Sequence, residues 1–406
     1  MRKRLLAPSV VVAASIVVPV VARAQLVERA SAAKASASAQ GAPADKPASA
    51  AKPAATPAPL PNKAGPAPLP NKVGPAPLPN KVGWTQPKTP WGHPDISGTW
   101  TSDGAIGIPM ARPDQFAGRV ELTDAEFADK LKRDAATRKR SDDRCGAFCD
   151  DNTWLKKSFN QTSLIIDGDG QIPPLTPQAE ARRAPRDRGT FGAGPFESTT
   201  DFTNYDRCIT RGIVGSVLPV VYGNGNRILQ TPNEVVISYE MVHDTRIIPV
   251  DGRPHVGSNI RQYLGNSRGH WEGNTLVVET TNLTDRTSIG LTGNGLRPSA
   301  DMKMVERFTR KAADELQYEI HIEDPKTYTR PFTIRVPLIS PAGFQLLPYE
   351  CHEGNYMLGA VLSGERAEDK AWADDLTWGI IRARKPVQAP INAAPGTAAG
   401  EGGPPQ

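Results

Sequence analysis

The sequence predicts a mainly β protein, an antiparallel meander that closes on itself as a barrel, with a folded sandwich as the alternative. Between residues 226 and 338, short runs of alternating apolar and polar residues recur at close, regular spacing with no helical period between them. The links between the runs are turn-forming. Gly273-Asn274 is the clearest, because a two-residue hairpin loop needs positive φ and these residue types supply it. Strands joined in this way pair with their neighbours in sequence and bury one face each.

The chain opens with Met1-Arg-Lys-Arg, an apolar run over residues 5–21 and Ala22-Arg-Ala24. A basic head, a short apolar body and a small-x-small tripeptide predict a secretory signal peptide over residues 1–24, cleaved after Ala24. The run is short for a bilayer and carries Pro8 and Pro19, and no later stretch reaches the roughly 18 apolar residues of a spanning helix. An exported protein follows, periplasmic or extracellular, with no membrane span.

Residues 25–83 read as a disordered Ala/Pro-rich linker. A nine-residue unit, Ala58-Pro-Leu-Pro-Asn-Lys-Ala-Gly-Pro, returns from Ala67 and from Ala76. Three prolines per unit favour polyproline II at about 3.1 Å per residue, so this segment spans roughly 80 Å when extended and serves as a spacer. Residues 387–406 are Ala/Gly/Pro-rich and read as a loose tail. The folded domain is then residues 84–386, with a helical and irregular insertion before residue 226.

Within that domain, Asp95-Ile-Ser-Gly-Thr-Trp100 begins a strand, and Thr123-Asp-Ala-Glu126 is a capping box that opens a helix. Residues 163–167 form a short strand ended by Gly168-Asp-Gly170. The meander follows as residues 227–230, 234–242, 246–250, 268–272, 275–283, 302–310, 315–323 and 328–338. The net charge is +5, and many of the excess basic residues fall in the signal and linker. The one basic run of the folded region, residues 130–140, is a solvated helix face. Nucleic acid is therefore excluded as a partner and a small molecule expected; the oligomeric state is left open.

Four cysteines in an exported chain predict disulfides. Three pairings exist. The nearness of Cys145 and Cys149 favours a small staple between them, which leaves Cys208 for Cys351 and a closed loop of roughly 140 residues.

Period two then sorts the polar residues of the strands. Val235, Ile237, Tyr239 and Met241 share a face whose next position is His243; Met302, Met304 and Phe308 share theirs with Glu306; Phe332, Ile334, Val336 and Leu338 share theirs with Arg330. A carboxylate on an apolar face costs several kcal/mol unless paired, so Glu306 is expected to meet His243 or Arg330. The same alternation turns His321 toward water, with Gln317 and Glu319.

Three motifs bear on chemistry. Gly265-Asn-Ser267-Arg-Gly269 fits the nucleophile-elbow pattern, but a strand follows Ser267 where the elbow needs a helix. His352-Glu353 begins like a zinc-binding helix, yet Tyr356 stands where the second histidine belongs, and no metal is assigned. Tyr349-Glu-Cys-His-Glu-Gly-Asn-Tyr356 reads instead as a loop anchored through Cys351, presenting His352, Glu353, Asn355 and Tyr356 over a pocket. No cofactor fingerprint occurs, and none is expected.

Trp91-Gly-His-Pro-Asp-Ile-Ser-Gly-Thr-Trp100, Arg207-Cys-Ile-Thr-Arg-Gly212, Asp251-Gly-Arg-Pro-His255, Ser267-Arg-Gly-His-Trp-Glu-Gly-Asn-Thr275 and Glu350-Cys-His-Glu-Gly-Asn-Tyr356 resemble segments of a large family of secreted bacterial proteins. That resemblance implies export and one shared domain. The Gly98-Thr-Trp100 start also resembles that of lipocalin-type barrels, which implies a lipocalin-like barrel with a ligand-holding interior.

The functional expectation is an exported enzyme using His/Glu acid–base chemistry in a β-barrel pocket on a small, partly apolar or aromatic substrate, as a lyase, isomerase or cofactor-free hydrolase. His243 and His352 transfer protons, Glu306 orients, and Tyr356 and Asn355 donate hydrogen bonds. Arg261 and Arg330 steady a developing anion, with His270 and Glu353 beside them. The alternatives are a lipocalin-like carrier in which these groups only orient a ligand, and a surface protein working through its Pro-rich arm.

Overall fold

A computed structural model describes residues 83–145, 157–182, 196–220, 222–287, 289 and 297–377. The expected signal peptide, the Pro-rich repeats and the C-terminal tail lie outside the described residues, as do Cys149 and the side chain of Cys145. Among the described residues, no helix is long and apolar enough to cross a membrane.

One antiparallel sheet of nine strands organises the fold: β1 (Gly98–Thr101), β2 (Gly225–Gln230), β3 (Glu234–Tyr239), β4 (Thr245–Pro249), β5 (Asn266–Glu272), β6 (Thr275–Thr281), β7 (Lys303–Ala312), β8 (Glu315–Glu323) and β9 (Phe332–Ile339). Their lateral order is β4-β3-β2-β1-β9-β8-β7-β6-β5. The two runs β2–β4 and β5–β9 are therefore meanders, and β1 joins them. The join is slight on the β9 side, where Thr101 pairs with Ile339 alone. Residues 163–167, expected as a strand, form one bridge, Ile165 to Ile334, further along the same β9 edge.

Helices are few. α1 (Asp124–Cys145) starts at the expected capping box, where Glu126 Oε2 accepts from the Thr123 N–H at 2.8 Å and Thr123 Oγ1 from the Glu126 N–H at 3.3 Å. Arg119, forked onto Glu126, and that Thr123 N–H hold the carboxyl at about 2. α2 (Pro177–Arg182) and α3 (Gly212–Gly215) are short, and α4 (Met357–Thr377) follows the sheet.

The inner face of the sheet carries the core. Ile228, Ile237, Ile248, Leu276, Val278, Phe308, Tyr318, Ile320, Ile334 and Val336 are all buried there, with Trp100 beneath them. Phe308 and Tyr318, directly opposed across β7 and β8, stack at 4.4 Å. Hydrogen-bonded ladders do not join the edge strands β4 and β5, so the sheet is open in its pairing. Side chains nevertheless cross from one edge to the other: Arg246 of β4 donates to Ser267 of β5 at 2.9 Å. Gly269 permits the approach, because a Cβ there would lie 2.9 Å from Val250 and 3.1 Å from Ile248.

The outer face departs from expectation. Gln317 and Glu319, predicted to face water, are buried, and His321 is half-buried. Glu319 Oε1 accepts from Gln317 Nε2 at 2.9 Å and from Arg335 Nε at 2.8 Å, so the row satisfies itself laterally instead of needing solvent. His321 Nδ1 lies 3.0 Å from Thr333 Oγ1. Burial lowers its pKa from the ordinary 6.5, against the opposing pull of Asp167 and Glu323.

The unfolded chain thus binds a proton at His321 more readily than the folded one. The stability contributed is present above about 6.5 and lost as pH falls through the lower folded-state pKa. His321→Gln is expected to flatten the acid limb of the urea midpoint measured between about pH 5 and 8. An acid limb as steep as the parent's contradicts this.

Candidate functional site

Ionisable and hydroxyl side chains gather in two places, one inside the sheet and one at its surface. The inner group is built on Arg246 and Glu306. Glu306 sits in the regular, ten-residue β7 and points inward as alternation requires; its exposure is 0%. Its partner is Arg246, neither His243 nor Arg330. Arg246 Nη1 and Nη2 fork onto the two carboxylate oxygens at 2.8 and 2.6 Å. Tyr318 OH donates to Oε1 at 2.5 Å, and Thr280 Oγ1 to Oε2 at 3.3 Å. Arg246 also donates to Tyr239 OH at 3.0 Å and to Ser267 Oγ at 2.9 Å, and the Ser267 and Thr280 hydroxyls meet at 2.9 Å.

Burial opposes the charge on Arg246, but the Glu306 carboxylate outweighs it and raises the guanidinium pKa well above its usual range. Burial pushes Tyr239 up to about 12 and raises Tyr318 well above 10.0, the latter helped by Glu306. Both phenols therefore stay protonated and serve as fixed dipoles. Ser267 has hydroxyl and guanidinium partners and no imidazole base, so nothing in this group activates it as a nucleophile.

The two displaced partners have one physical cause. β3 ends at Tyr239, and the chain then turns: Val242 and His243 adopt φ of 61° and 56°. Alternation does not survive that turn, and His243 emerges exposed. β9 begins at Phe332, so Arg330 lies in the preceding loop, where it reaches Asp169 and the Gln171 carbonyl.

The surface group forms where residues 205–212, 222–225, 240–244 and 346–356 meet. Cys208 is bonded to Cys351, with Cα atoms 5.7 Å apart. Glu240, just past β3, accepts from the Gly225 N–H at 2.9 Å and the Leu347 N–H at 3.0 Å, drawing the segment after β9 onto the end of β3 and the start of β2. Gly225 must lack a Cβ, which would fall 2.2 Å from Leu346. Tyr205 OH then lies 3.2 Å from Tyr349 OH and 3.5 Å from Tyr222 OH, and the Arg211 guanidinium sits 5.4 Å from the Tyr205 ring centre. Burial and the neighbouring phenols push the Tyr205 pKa up, so it is a hydrogen-bond donor, never a base. Thr210 donates to Asp244 at 2.5 Å, whose carboxyl burial raises despite that bond.

His243 Nε2 stands 3.9 Å from Glu350 Oε2, both more than half exposed. His352 follows two residues on, exposed, as is Glu353; Tyr356 is 82% exposed. Asn355 donates to the Asp206 carbonyl at 3.1 Å and toward Cys208 Sγ at 3.6 Å, which ties the loop down. The expected anchored loop is thus present, with His243 beside it. Arg261 is elsewhere, donating to the Leu283 and Ala300 carbonyls. His270 is exposed on the outer face of β5, 3.1 Å from Glu272.

Residue patterns did not single out Tyr205, Tyr222, Tyr349 and Glu350, which come together where Glu240, Asn355 and the disulfide tie residues 346–356 down. Arg246 was within reach, since in Thr245-Arg-Ile-Ile248 alternation puts it on the face of Ile248. No protein-family model, no curated protein and no solved structure matches this chain.

Proposed function

We propose that the disulfide-tied surface beside β3 and β4 is the active site of an exported acid–base enzyme acting on a small, partly aromatic substrate. His243 is the proton-transfer group, Glu350 orients it, and Tyr205 and Tyr349 donate hydrogen bonds to a substrate oxygen. His352 and Tyr356 flank the substrate, and Asn355 holds the loop. Glu306 orients the fold through Arg246 and leaves the chemistry to Glu350. The reaction is a lyase, isomerase or cofactor-free hydrolase step.

One observation carries this reading. Among the described residues, four non-glycine residues have positive φ, and three of them, Cys208, Val242 and His243, lie in the segments that build this surface. For β-branched Val242 that conformation is a true outlier. Strain of this kind, about 1–3 kcal/mol per residue, persists where surrounding structure enforces it, and it concentrates at working sites.

Purified protein is to be screened on small aromatic esters, hydroxy acids and aryl glycosides. His243→Ala is expected to lower kcat/KM on any substrate found by about 10²–10⁴-fold, and Glu350→Gln by less. Turnover untouched by either change would remove His243 and its partner from the chemistry. A carrier is the second reading, with the sheet curled into a lipocalin-like barrel; the Arg246 to Ser267 bond between the two edge strands favours it. Binding of aromatic ligands without turnover, abolished by interior rather than surface changes, selects the carrier.

A further inference from the structure

The segment that completes this surface has no core of its own. From residue 340 to residue 361 no side chain is buried; the run ends at Leu362, which packs with Phe196 and Phe202. Residues 346–356 nevertheless supply Tyr349, Glu350, His352 and Tyr356. Among the described residues, their ties to the body of the domain are few: the Leu347 N–H on Glu240, Tyr349 OH on Tyr205, Glu350 beside His243, Cys351 Sγ toward the Tyr205 carbonyl, Asn355 on the Asp206 carbonyl, Leu346 against Gly225, and the Cys208–Cys351 bond. All but that bond are single polar contacts or one apolar touch at a partly wet surface. Both cysteines are half-buried, so neither is sealed in the core. Cys208 is itself one of the strained positive-φ residues, at 56°.

We propose that the Cys208–Cys351 bond is a thiol-operated latch: a dithiol reductant opens it, residues 341–356 leave the strand ends of β2 and β3, and the surface site comes apart while the sheet stays folded. The inference rests on the active-site reading only for its consequence, loss of activity. In the reaction one thiolate of the reductant attacks a sulfur of the bridge, giving a mixed disulfide and one protein thiolate. The second reductant thiol then resolves the mixed disulfide. Two electrons and two protons pass to Cys208 and Cys351, which end as thiols, and the reductant ends as a cyclic disulfide. With the bridge gone, His243 loses Glu350 and Tyr205 loses Tyr349. Oxidation restores both.

The test compares the full exported chain before and after dithiothreitol under native conditions, with alkylation mapped to Cys208 and Cys351 and amide exchange followed by peptide. Exchange in residues 341–356 is expected to rise at least about tenfold on reduction and to return on reoxidation, with β6 to β9 unchanged. A Cys208→Ala/Cys351→Ala chain should match the reduced form. Three results overturn the latch: alkylation that never reaches the two cysteines, exchange in residues 341–356 that stays slow once they are alkylated, or loss of protection throughout the sheet. Exchange is independent of turnover. Opening of the segment with undiminished catalysis would therefore keep the latch and sink the active-site assignment.

Discussion

Glu306→Ala is expected to lower the free energy of unfolding by about 3–5 kcal/mol, read from urea unfolding monitored by both fluorescence and circular dichroism. The carboxylate is wholly buried and accepts from Arg246, Tyr318 and Thr280. Removing it strands the Arg246 guanidinium, itself 4% exposed, inside the sheet without a counter-charge. The remaining partners, Tyr239, Ser267 and Thr280, are neutral. Desolvation of an unpaired cation is the dominant cost, and the lost hydrogen bonds add to it. Glu306→Gln keeps the shape and gives up only the charge, so it should fall between parent and alanine. The paired change Arg246→Met/Glu306→Leu removes both charges and should recover most of the loss. A Glu306→Ala protein within about 1 kcal/mol of the parent would mean that the pair is hydrated and this account of the interior is wrong.

The same residue marks how far alternation can be trusted. Over β7, ten residues without a break, period two placed Glu306 correctly on the face of Met304 and Phe308. The rule failed where it was carried past a strand's end, by four residues from Tyr239 to His243 and by two before Phe332 to Arg330. Each failure put on the inner face a polar side chain that the chain places in a flanking turn or loop. Alternation also names a side without saying what lies over it. His321, Gln317 and Glu319 are on the outer face as read, yet that face is covered and its polar groups pair laterally. The expected closure into a barrel is not seen in the pairing, for a related reason. Register and turn residues specify neighbours in sequence, whereas β4 and β5 are joined by no ladder and approach only through side chains beside Gly269.

The surface site was half legible. His352, Asn355 and Tyr356 sit in one dense stretch, and the pairing of Cys208 with Cys351 followed from the nearness of Cys145 to Cys149. Tyr205 and Tyr222 carried no local signal, and Tyr349, which opens that same stretch, was not assigned a role, because the three meet across separations that only the tertiary fold closes.

That closure supplies the second large effect. Cys208→Ser/Cys351→Ser should cost about 3–5 kcal/mol in equilibrium unfolding, the range for releasing a loop of this length. The sequence separation is 143 residues, so the intact bond removes much of the freedom of the unfolded chain between the insertion and the end of the sheet. The effect acts mainly on the unfolded state. The β signature of the native protein should therefore be unchanged in the absence of urea, while the midpoint falls and the slope of the transition steepens as the unfolded chain expands. Steepening is the discriminating observable, because a merely local loosening of residues 341–356 leaves the unfolded dimensions as they were. Glu306→Ala shares no partner with the cysteines, so the two losses should add to within about 0.5 kcal/mol. A loss below about 1 kcal/mol with an unchanged slope would show that the bond constrains neither ensemble.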